Sequence, residues 1–477
     1  MRAATPSWIE TLDPNLQTTF EYAIYEHLIG IDTEGNFIPE LAESWSLSND
    51  GLVYTFKIRK GVKFHNGDPL TSADVKFSLE RIMRTGSMSP WKGQYSATID
   101  RIETPDDYTV LVYDKFVDYM FYTGLWGCPI LPKKYIEENG DKYFNEHPIG
   151  TAPWKFVRLT PGVSIEFEAV KNHWRITPSF AKLIVTLVPE ASTALAALRH
   201  GETDVVAVNM DDALKVRNEG YELRILGRPI SPVICFTNTW AYKGPLSDLR
   251  VRKALSLAIN RRQIADTFFN GLAEPGGVLW TAPTSWGYDP SWKADPYDPT
   301  TAKALLAEAG YPNSFENPEI TIYSHMATSW LPDLTLIISG FWEAIGVKTK
   351  VVPIDMGQLR GMMYVQAPAL TGATCIWPMP TMQVSIPFLK SAIHSQGNWQ
   401  LLHDATWDAL WASISKEPNP DKQIALFRQT VNYMLEQHVV PGIVNLYSYF
   451  AVSDKIGDWT LRFQYDIWGN FAGIKQK

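Results

Sequence analysis

Segment 39–81 constrains the fold more than any other part of the sequence, because a strand, a turn and the start of a helix follow one another within it. Apolar Tyr54, Phe56 and Ile58 alternate with polar neighbours, which is the spacing of a half-buried strand. The Asn-Gly-Asp-Pro sequence at 66–69 then predicts a turn, since glycine accepts positive φ and proline cannot continue a ladder. The chain is therefore expected to reverse direction after this strand.

A helix is predicted to begin directly after the turn. Thr71 and Asp74 stand three residues apart, so their side chains can satisfy free amides of a first helical turn, with Asp in place of the usual Glu or Gln of a capping box. The apolar residues that follow predict the buried face of this helix: Val75, Phe77, Leu79 and Ile82. The segment thus predicts strand, turn and helix in that order.

The size and charge of the chain exclude several classes of protein. With 477 residues it exceeds what one hydrophobic core usually supports, so two or three domains are expected. Apolar residues at 45% and charged residues at 20% are typical of a folded soluble protein. The balance of 43 basic against 51 acidic residues, without a Lys/Arg block, argues against nucleic acid as a partner.

Cysteine usage and hydropathy add two further limits. Cys128, Cys235 and Cys375 could form at most one disulfide, and they have no zinc-binding spacing. No run of 18 apolar residues occurs, and residues 1–5 lack the hydrophobic core of a signal peptide. The sequence as given is therefore predicted to be soluble.

Segment 39–81 resembles the extracellular solute-binding proteins of the peptide, opine and nickel class of ABC importers, bacterial solute-binding protein family 5. The residues that carry this resemblance are Trp45, Asp50-Gly51, Tyr54-Thr55-Phe56, Gly61-Val62-Lys63-Phe64-His65 and Asp74-Val75. Similar matches occur at 150–156, 245–255 and 297–312. The resemblance covers nearly the whole chain. It implies a two-lobed α/β periplasmic-binding-protein fold (type II, cluster C) with an extra subdomain inserted in lobe I.

The resemblance also implies how the lobes divide along the chain and how they act. The expected order is lobe I at 1–36, the inserted subdomain at 37–148, lobe I again at 149–238, lobe II at 239–445 and a return to lobe I at 446–477. Proteins of this kind hold a small organic solute in a cleft between the lobes and close on it by hinge rotation. They then deliver the solute to a membrane permease.

The sequence carries no recognisable motif of catalysis or metal binding. The sequence has no GxSxG, GxxxxGK[ST], HExxH or GxGxxG pattern, so neither an enzymatic activity nor a cofactor is predicted. His394, His403 and Asp404 could be imagined as a metal cluster, but their spacing matches no helical or hairpin pair of ligands. Surface histidines and no metal are the expectation.

The expected anchors for a peptide ligand are altered in this chain. In peptide-binding members of the family, an Asp in a motif like WxxDxxDP pairs with the ligand's ammonium group. Here the matching stretch begins at Trp377, and the Asp position falls on or beside Pro380. An ammonium buried without a carboxylate is costly. Dipeptide-binding relatives also carry an Arg for the ligand carboxylate, and the spacing puts His325 there, although His325 could instead be only a loop residue.

The candidate ligand-binding residues follow from these positions and from aromatic residues near them. They are Thr19, Phe20, Trp126, Trp280, His325, Trp377, Met379 and Trp399. For the aromatic members of this set, burial in a core is the alternative. Trp407 and Trp411 lie four residues apart on a predicted helix, so at least one of them is expected to pack in the core.

The sequence thus predicts the solute-binding component of an ABC importer, with an aromatic, sugar-like or opine-like ligand rather than a peptide with a free amino terminus. The alternatives are a dipeptide- or oligopeptide-binding protein with a displaced anchor, a ligand-presenting sensor, and a hydrolase on the same scaffold. The expected partners are the small-molecule ligand and an ABC permease and ATPase complex. We expect a monomer, periplasmic or extracellular and membrane-anchored, with a leader preceding the sequence as given.

Overall fold

The computed structural model describes most of the chain. It covers residues 1–8, 10–16, 19–33, 35–89, 91–241, 243–276, 281, 283, 285–312, 315–381, 386–459 and 471–477. Within helices and strands, it describes the backbone but not the side chains of residues 123, 126, 211, 226–228, 315–318, 380, 386 and 387.

Strands and helices alternate along the chain. The strands are β1 (Arg2–Thr5), β2 (Ile29–Ile31), β3 (Phe37–Pro39), β4 (Ala42–Leu47), β5 (Val53–Ile58), β6 (Ile99–Asp106), β7 (Thr109–Asp114), β8 (Trp154–Thr160), β9 (Ser164–Ala169), β10 (Lys182–Leu187), β11 (Val205–Val208), β12 (Glu222–Phe236), β13 (Ala273–Pro275), β14 (Phe315–Ser324), β15 (Val347–Pro353), β16 (Ala373–Pro380), β17 (Val444–Val452), β18 (Ile456–Trp459) and β19 (Ile474–Gln476). The helices are α1 (Glu21–Ile24), α2 (Ser72–Met83), α3 (Lys92–Thr98), α4 (Lys133–Glu146), α5 (Ala191–Arg199), α6 (Met210–Asn218), α7 (Leu249–Leu257), α8 (Arg261–Gln263), α9 (Pro299–Glu308), α10 (Leu331–Glu343), α11 (Met356–Tyr364), α12 (Ile386–Ile393), α13 (Ala405–Lys416) and α14 (Pro420–Glu436).

The chain divides into two compact units. Unit 1 comprises Met1–Gly227 and Ser448–Lys477, and unit 2 comprises Arg228–Tyr447. The chain passes between the units inside β12 and inside β17, so each boundary falls within a strand. The first boundary predicted from the sequence, between residues 238 and 239, lies after the one in the structure. The second predicted boundary, between residues 445 and 446, lies slightly before the one in the structure. That full domain assignment stays a prediction.

A mixed sheet forms the centre of unit 1. Its order is β11-β1-β10-β9-β8, with β1 parallel to both of its neighbours and the end of β17 antiparallel to β11. Large side chains without exposed surface fill the core against this sheet, among them Phe20, Trp154 and Phe167. Gly150 passes so close to the Ile24 carbonyl that a Cβ atom there would lie 2.0 Å from its oxygen, which explains a glycine at this position.

Unit 1 also contains a separate antiparallel sheet with its own core. The order β4-β5-β7-β6 confirms the strand predicted from the 54–58 alternation, and α2 packs on this sheet with Val75 and Leu79 buried. The Asp74 carboxylate accepts the Thr71 backbone N–H at 2.9 Å, which is the predicted cap contact. Gly67 adopts a φ of 92°, as the predicted turn requires.

Unit 2 is built on parallel pairing around β14. The sheet order is β15-β14-β16-β12, with β14 parallel to β15 and to β16, and β12 antiparallel to β16. Aspartates cap two helices of this unit: Asp248 accepts from the Arg250 amide at the start of α7, and Asp298 accepts from the Thr301 amide at the start of α9. Over the described residues, no helix has both the length and the hydropathy needed to cross a bilayer.

Residues 440–443 precede β17, which begins at Val444. Residues before it still run along β12, where Ile234 donates to the Pro441 carbonyl at 2.9 Å and Ile443 donates to the Pro232 carbonyl at 3.0 Å. Proline has no N–H to donate. Because Pro232 lies in β12 and Pro441 in the facing segment, the two segments form separate hydrogen bonds rather than a continuous ladder.

Asp13, which lies directly before the turn at Pro14–Leu16, forms a buried ion pair with Arg81 of α2. The guanidinium contacts the two Asp13 oxygens at 2.7 and 2.5 Å, and both residues are almost completely buried. We expect Asp13→Ala to lower the free energy of unfolding by about 3–5 kcal/mol, because it leaves a buried guanidinium without its main partner. Urea unfolding measures this loss.

The matched control is Glu219→Ala, which removes an exposed carboxylate bonded to Arg199. Exposed pairs contribute little, so this variant should unfold close to the wild type. Equal losses in the two variants would contradict the importance of the buried pair.

Asp114 makes unit 1 sensitive to pH. Its carboxylate is buried and, within the described part of the chain, has no hydrogen-bond partner. Burial, with Asp118 nearby, raises the pKa of Asp114 to about 8. In the unfolded chain the pKa of an Asp side chain is about 3.9. Between about pH 4 and about pH 8 the folded state therefore keeps the proton that the unfolded state has lost. The free energy of unfolding consequently falls as pH rises through this range.

Asp114→Asn removes this ionisation. We expect the variant to gain stability relative to the wild type on going from about pH 5 to about pH 9, measured by urea unfolding. Asp100→Asn, at an exposed carboxylate in the same sheet, should show no such pH-dependent gain. A stability difference for Asp114→Asn that does not change with pH would rule out the raised pKa.

Candidate functional site

The strand order of unit 2 creates a reversal between β14 and β16. From β14 the chain moves through α10 to β15 on one side, and then through α11 to β16 on the other side of β14. Crossovers that leave in opposite directions open a crevice at the carboxyl ends of the two central strands, which is where α/β sheets bind ligands. Residues at the ends of β14 and β16 therefore form the candidate site.

His325 follows the last residue of β14 and is 1% exposed. Its Nε2 lies 3.2 Å from the Ile376 carbonyl, and its Nδ1 accepts the Ala327 backbone N–H at 3.3 Å. These contacts require a neutral ring with the proton on Nε2, and burial lowers the pKa of His325 below its usual range. The imidazole therefore bridges β14 and β16 as a neutral donor.

Three aromatic rings meet at this edge. The Trp377 ring centroid lies 4.9 Å from that of His325 and 5.4 Å from that of Trp399. Trp377 is almost fully buried, whereas Trp399 is half-buried. Met379, two residues along β16, is also buried and pairs with Ser231. The structure thus brings together four of the predicted site residues, of which Trp399 presents the most surface.

The loops and the helix at the same edge add exposed side chains that the sequence did not single out. Met326, next to His325, is 80% exposed, and Met356, at the start of α11, is 37% exposed. Arg360 on α11 is exposed, and its guanidinium carbon lies 5.8 Å from the centroid of the Trp377 ring. The alternation of strands and helices after β14 is the sequence signal that could have indicated these residues. It predicts parallel strands, so that the segments after β14 and after β15 lie at the same edge of the sheet.

The remaining predicted site residues lie elsewhere or outside the description. Thr19 lies in a turn before α1, and Phe20 is completely buried in the core of unit 1, 5.8 Å from both Trp8 and Phe167. Trp280 and the Trp126 side chain lie outside the described residues. Solute contacts by these four residues stay predictions.

The histidines considered for metal binding have separate partners. His394 lies 3.6 Å from Asp408, while His403 stacks on Trp240 with 4.3 Å between ring centroids. In the part of the chain that the structure describes, no three His, Cys, Asp or Glu side chains are placed to hold a metal ion. Trp407 and Trp411 stack at 5.1 Å and are buried, which confirms their predicted packing role.

Each unit also has a surface cavity away from this edge. One of about 450 Å³ in unit 2 lies near Asn260, Trp292 and Asn445. One of about 580 Å³ in unit 1 lies near His65 and His173, whose Nε2 atoms lie 2.8 and 2.7 Å from the Ala152 and Thr151 carbonyls. Burial lowers the pKa of His65 to about 4. These two imidazoles therefore hold backbone in place.

Comparison with known proteins assigns this two-unit α/β chain to a family. Residues 36–396 match the family model described as bacterial extracellular solute-binding proteins, family 5, middle. The chain belongs to this family. Relatives of this solute-binding protein are transport proteins, not enzymes, and family members work with ABC permeases and are typically periplasmic or extracellular.

Three similar proteins illustrate the range of this family. The family 5 protein is 28% identical to heme-binding protein A of Haemophilus influenzae, over 82% of this chain and 76% of that protein. It is 26% identical to di/tripeptide-binding protein 3 of Pseudomonas aeruginosa, over 92% of this chain and 87% of that protein. The crystal structure of the ABC transporter substrate-binding protein CtaP from Listeria monocytogenes superposes with a TM-score of 0.86 at 22% identity, covering 100% and 99% of the two chains, which confirms the predicted two-lobed fold.

Trp377 is the packing centre of the candidate site. We expect Trp377→Ala to lower the free energy of unfolding of the family 5 protein by about 3–5 kcal/mol, because it empties the space between two other rings. Chemical denaturation followed by circular dichroism measures the loss. The control Trp240→Ala removes a tryptophan that is 40% exposed, and it should cost clearly less. A smaller loss for Trp377→Ala than for Trp240→Ala would contradict this packing role.

Proposed function

We propose that this chain is the solute-binding component of an ABC importer and that its solute is an aromatic, sugar-like or opine-like compound rather than a peptide with a free amino terminus. The observation that carries the proposal is the composition of the β14 and β16 edge. That edge offers Trp399, methionines and an exposed guanidinium, and in the described stretch Trp377–Thr381 it offers no carboxylate.

The missing carboxylate weighs against peptide ligands. A peptide brings an ammonium group into the site, and that charge loses its water when the solute is enclosed. The loss is tolerated only where a carboxylate or several carbonyl groups replace the water. Residues at the end of β16 are Trp377, Pro378, Met379, Pro380 and Thr381, none of which carries a negative charge.

The aromatic and sulfur-bearing side chains favour a solute with a flat or apolar face. Aromatic rings gain about 0.5–1.5 kcal/mol from stacking beyond the burial of their area. Met326 and Met356 can adapt to the outline of such a face, because thioether side chains are flexible and polarizable. Trp399, which is only half-buried, is the ring with surface left for this contact.

The transport role rests on family membership. We propose delivery of the solute to a membrane permease and its ATPase, action as a monomer, and a periplasmic or extracellular, membrane-anchored location. Closure of the lobes around the solute stays a prediction. The relatives named above bind heme in one case and di- or tripeptides in another, so the family alone leaves the solute class open.

A peptide with a displaced anchor is the second candidate, because one carboxylate does lie at this edge. Asp355 is exposed directly before α11 and accepts the Gln358 backbone N–H at 2.9 Å. A carboxylate has further lone pairs and could still meet an ammonium. This candidate predicts that dipeptides bind and that Asp355→Asn abolishes the binding.

The proposal is tested with tryptophan fluorescence of the full chain and a panel of solutes. We expect no saturable quench with dipeptides, and a saturable quench with at least one aromatic acid, glycoside or opine. The physical reason is that a stacked solute changes the surroundings of Trp399, whereas a free ammonium finds no carboxylate at the end of β16. Micromolar binding of dipeptides would contradict the proposal.

Mass spectrometry of the protein under native conditions identifies whatever copurifies with it, and the identity of that compound adds an independent check. A bound peptide would support the second candidate. Chemical conversion of the bound compound during incubation would contradict a pure binding function.

A further inference from the structure

Arg360 is an exposed cation beside Trp377 in the candidate site. We propose that its guanidinium receives a carboxylate of the solute, so that the cargo is an organic acid whose flat or apolar part packs against Trp399 and the methionines. This inference rests on the proposed function and narrows its solute class.

The position of Arg360 on its helix carries the first step. Its neighbours Leu359 and Met363 are buried and hold α11 against unit 2, while Arg360 itself is exposed. The same helix begins immediately after β15, at the edge where β14 and β16 also end. The guanidinium is therefore fixed to the site by a packed helix rather than by a loop.

Trp377 orients the guanidinium. A cation within about 6 Å of a tryptophan ring centroid is attracted by the negative face of the ring. The Arg360 carbon lies 5.8 Å from the Trp377 centroid, and Trp377 is held in turn by His325 and Trp399. A planar guanidinium placed in this way loses little freedom when it binds a carboxylate through two parallel hydrogen bonds.

Over the described residues, the Arg360 guanidinium contacts the Trp377 ring and forms no ion pair or hydrogen bond with the protein. By contrast, Arg250, Arg252 and Arg261 in unit 2 each donate to carboxylates or carbonyls of the protein.

The other titratable groups near Arg360 do not replace it. His325 is buried and neutral, so it adds no positive charge. Asp355, on the same helix, uses one oxygen to cap the helix and is not within ion-pair distance of Arg360. A solute carboxylate at this edge thus meets one oriented cation, whereas a solute ammonium would meet repulsion from the same group.

The test pairs two probes that differ only in charge with two proteins that differ only at Arg360. Indole-3-acetate and indole-3-acetamide share a flat ring, and mannopinic acid serves as an opine probe. Isothermal titration calorimetry with the full chain should give an affinity for the acid at least about tenfold above that for the amide. The affinity of Arg360→Gln for the acid should be lower than that of the wild type by about the same factor, while its affinity for the amide should be unchanged.

Arg217→Gln is the matched control, because it removes an exposed arginine from α6 of unit 1 without touching the site. It should leave every affinity unchanged, and the thermal unfolding of Arg360→Gln should follow the wild type, since its side chain is exposed. Unchanged binding of the acid by Arg360→Gln would overturn the role of Arg360, and so would equal binding of acid and amide by the wild type. Either result leaves the proposed function standing. No saturable binding of any of the three probes by the wild type would count against both.

Discussion

The parallel pairing of β14 with β15 on one side and β16 on the other is the constraint on which the candidate site depends. It fixes Tyr323 opposite Cys375 and Ser324 opposite Pro353, so that the three strands end at one edge. His325 and Trp377 are far apart in the sequence but become neighbours because of this register. A shift by one residue would turn Trp377 to the other face of the sheet, since side chains alternate along a strand.

Three histidines of this protein are placed against backbone carbonyls. His65, His173 and His325 each lie with Nε2 within 3.2 Å of a backbone carbonyl. For His65 and His325, whose pKa values burial lowers, a neutral imidazole satisfies such a carbonyl without the cost of burying a charge. His325 therefore joins two strands in the same way that His65 and His173 fix loops of unit 1, and it also supports the face of Trp377.

The fold could be predicted from the sequence largely because local signals agreed with one another. The alternation at 54–58, the turn at 66–69 and the cap at Asp74 each depend on a few adjacent residues, and the structure has all of them. Local signals do not locate the start of β17, because residues 440–443 have a strand-like composition while proline interrupts their pairing with β12.

The candidate site was only partly predictable. His325 and Trp377 are candidates because they stand at positions of a family pattern, and Met379 and Trp399 because aromatic and sulfur-bearing residues are concentrated near them. The structure brings these four residues together, and their contact with a solute stays a prediction. Arg360 is not among the sequence candidates, because its contact with Trp377 joins a helix to a strand that follows later in the chain, and no local spacing encodes that contact. Met326 is likewise exposed because it lies just after the end of β14, and the residues next to it in the sequence do not indicate this.

The missing carboxylate at the end of β16 and the exposed guanidinium of Arg360 are linked electrostatically. A carboxylate at the end of β16 would lie on the strand that carries Trp377, the ring over which the Arg360 guanidinium is placed. Opposite charges at such separations favour each other, and a carboxylate there would compete with any solute for the guanidinium. Pro378, Met379 and Pro380 stand there instead, so this stretch offers the guanidinium no carboxylate. On the proposed role of Arg360, the missing carboxylate and the guanidinium would act together to favour a solute carboxylate over an ammonium.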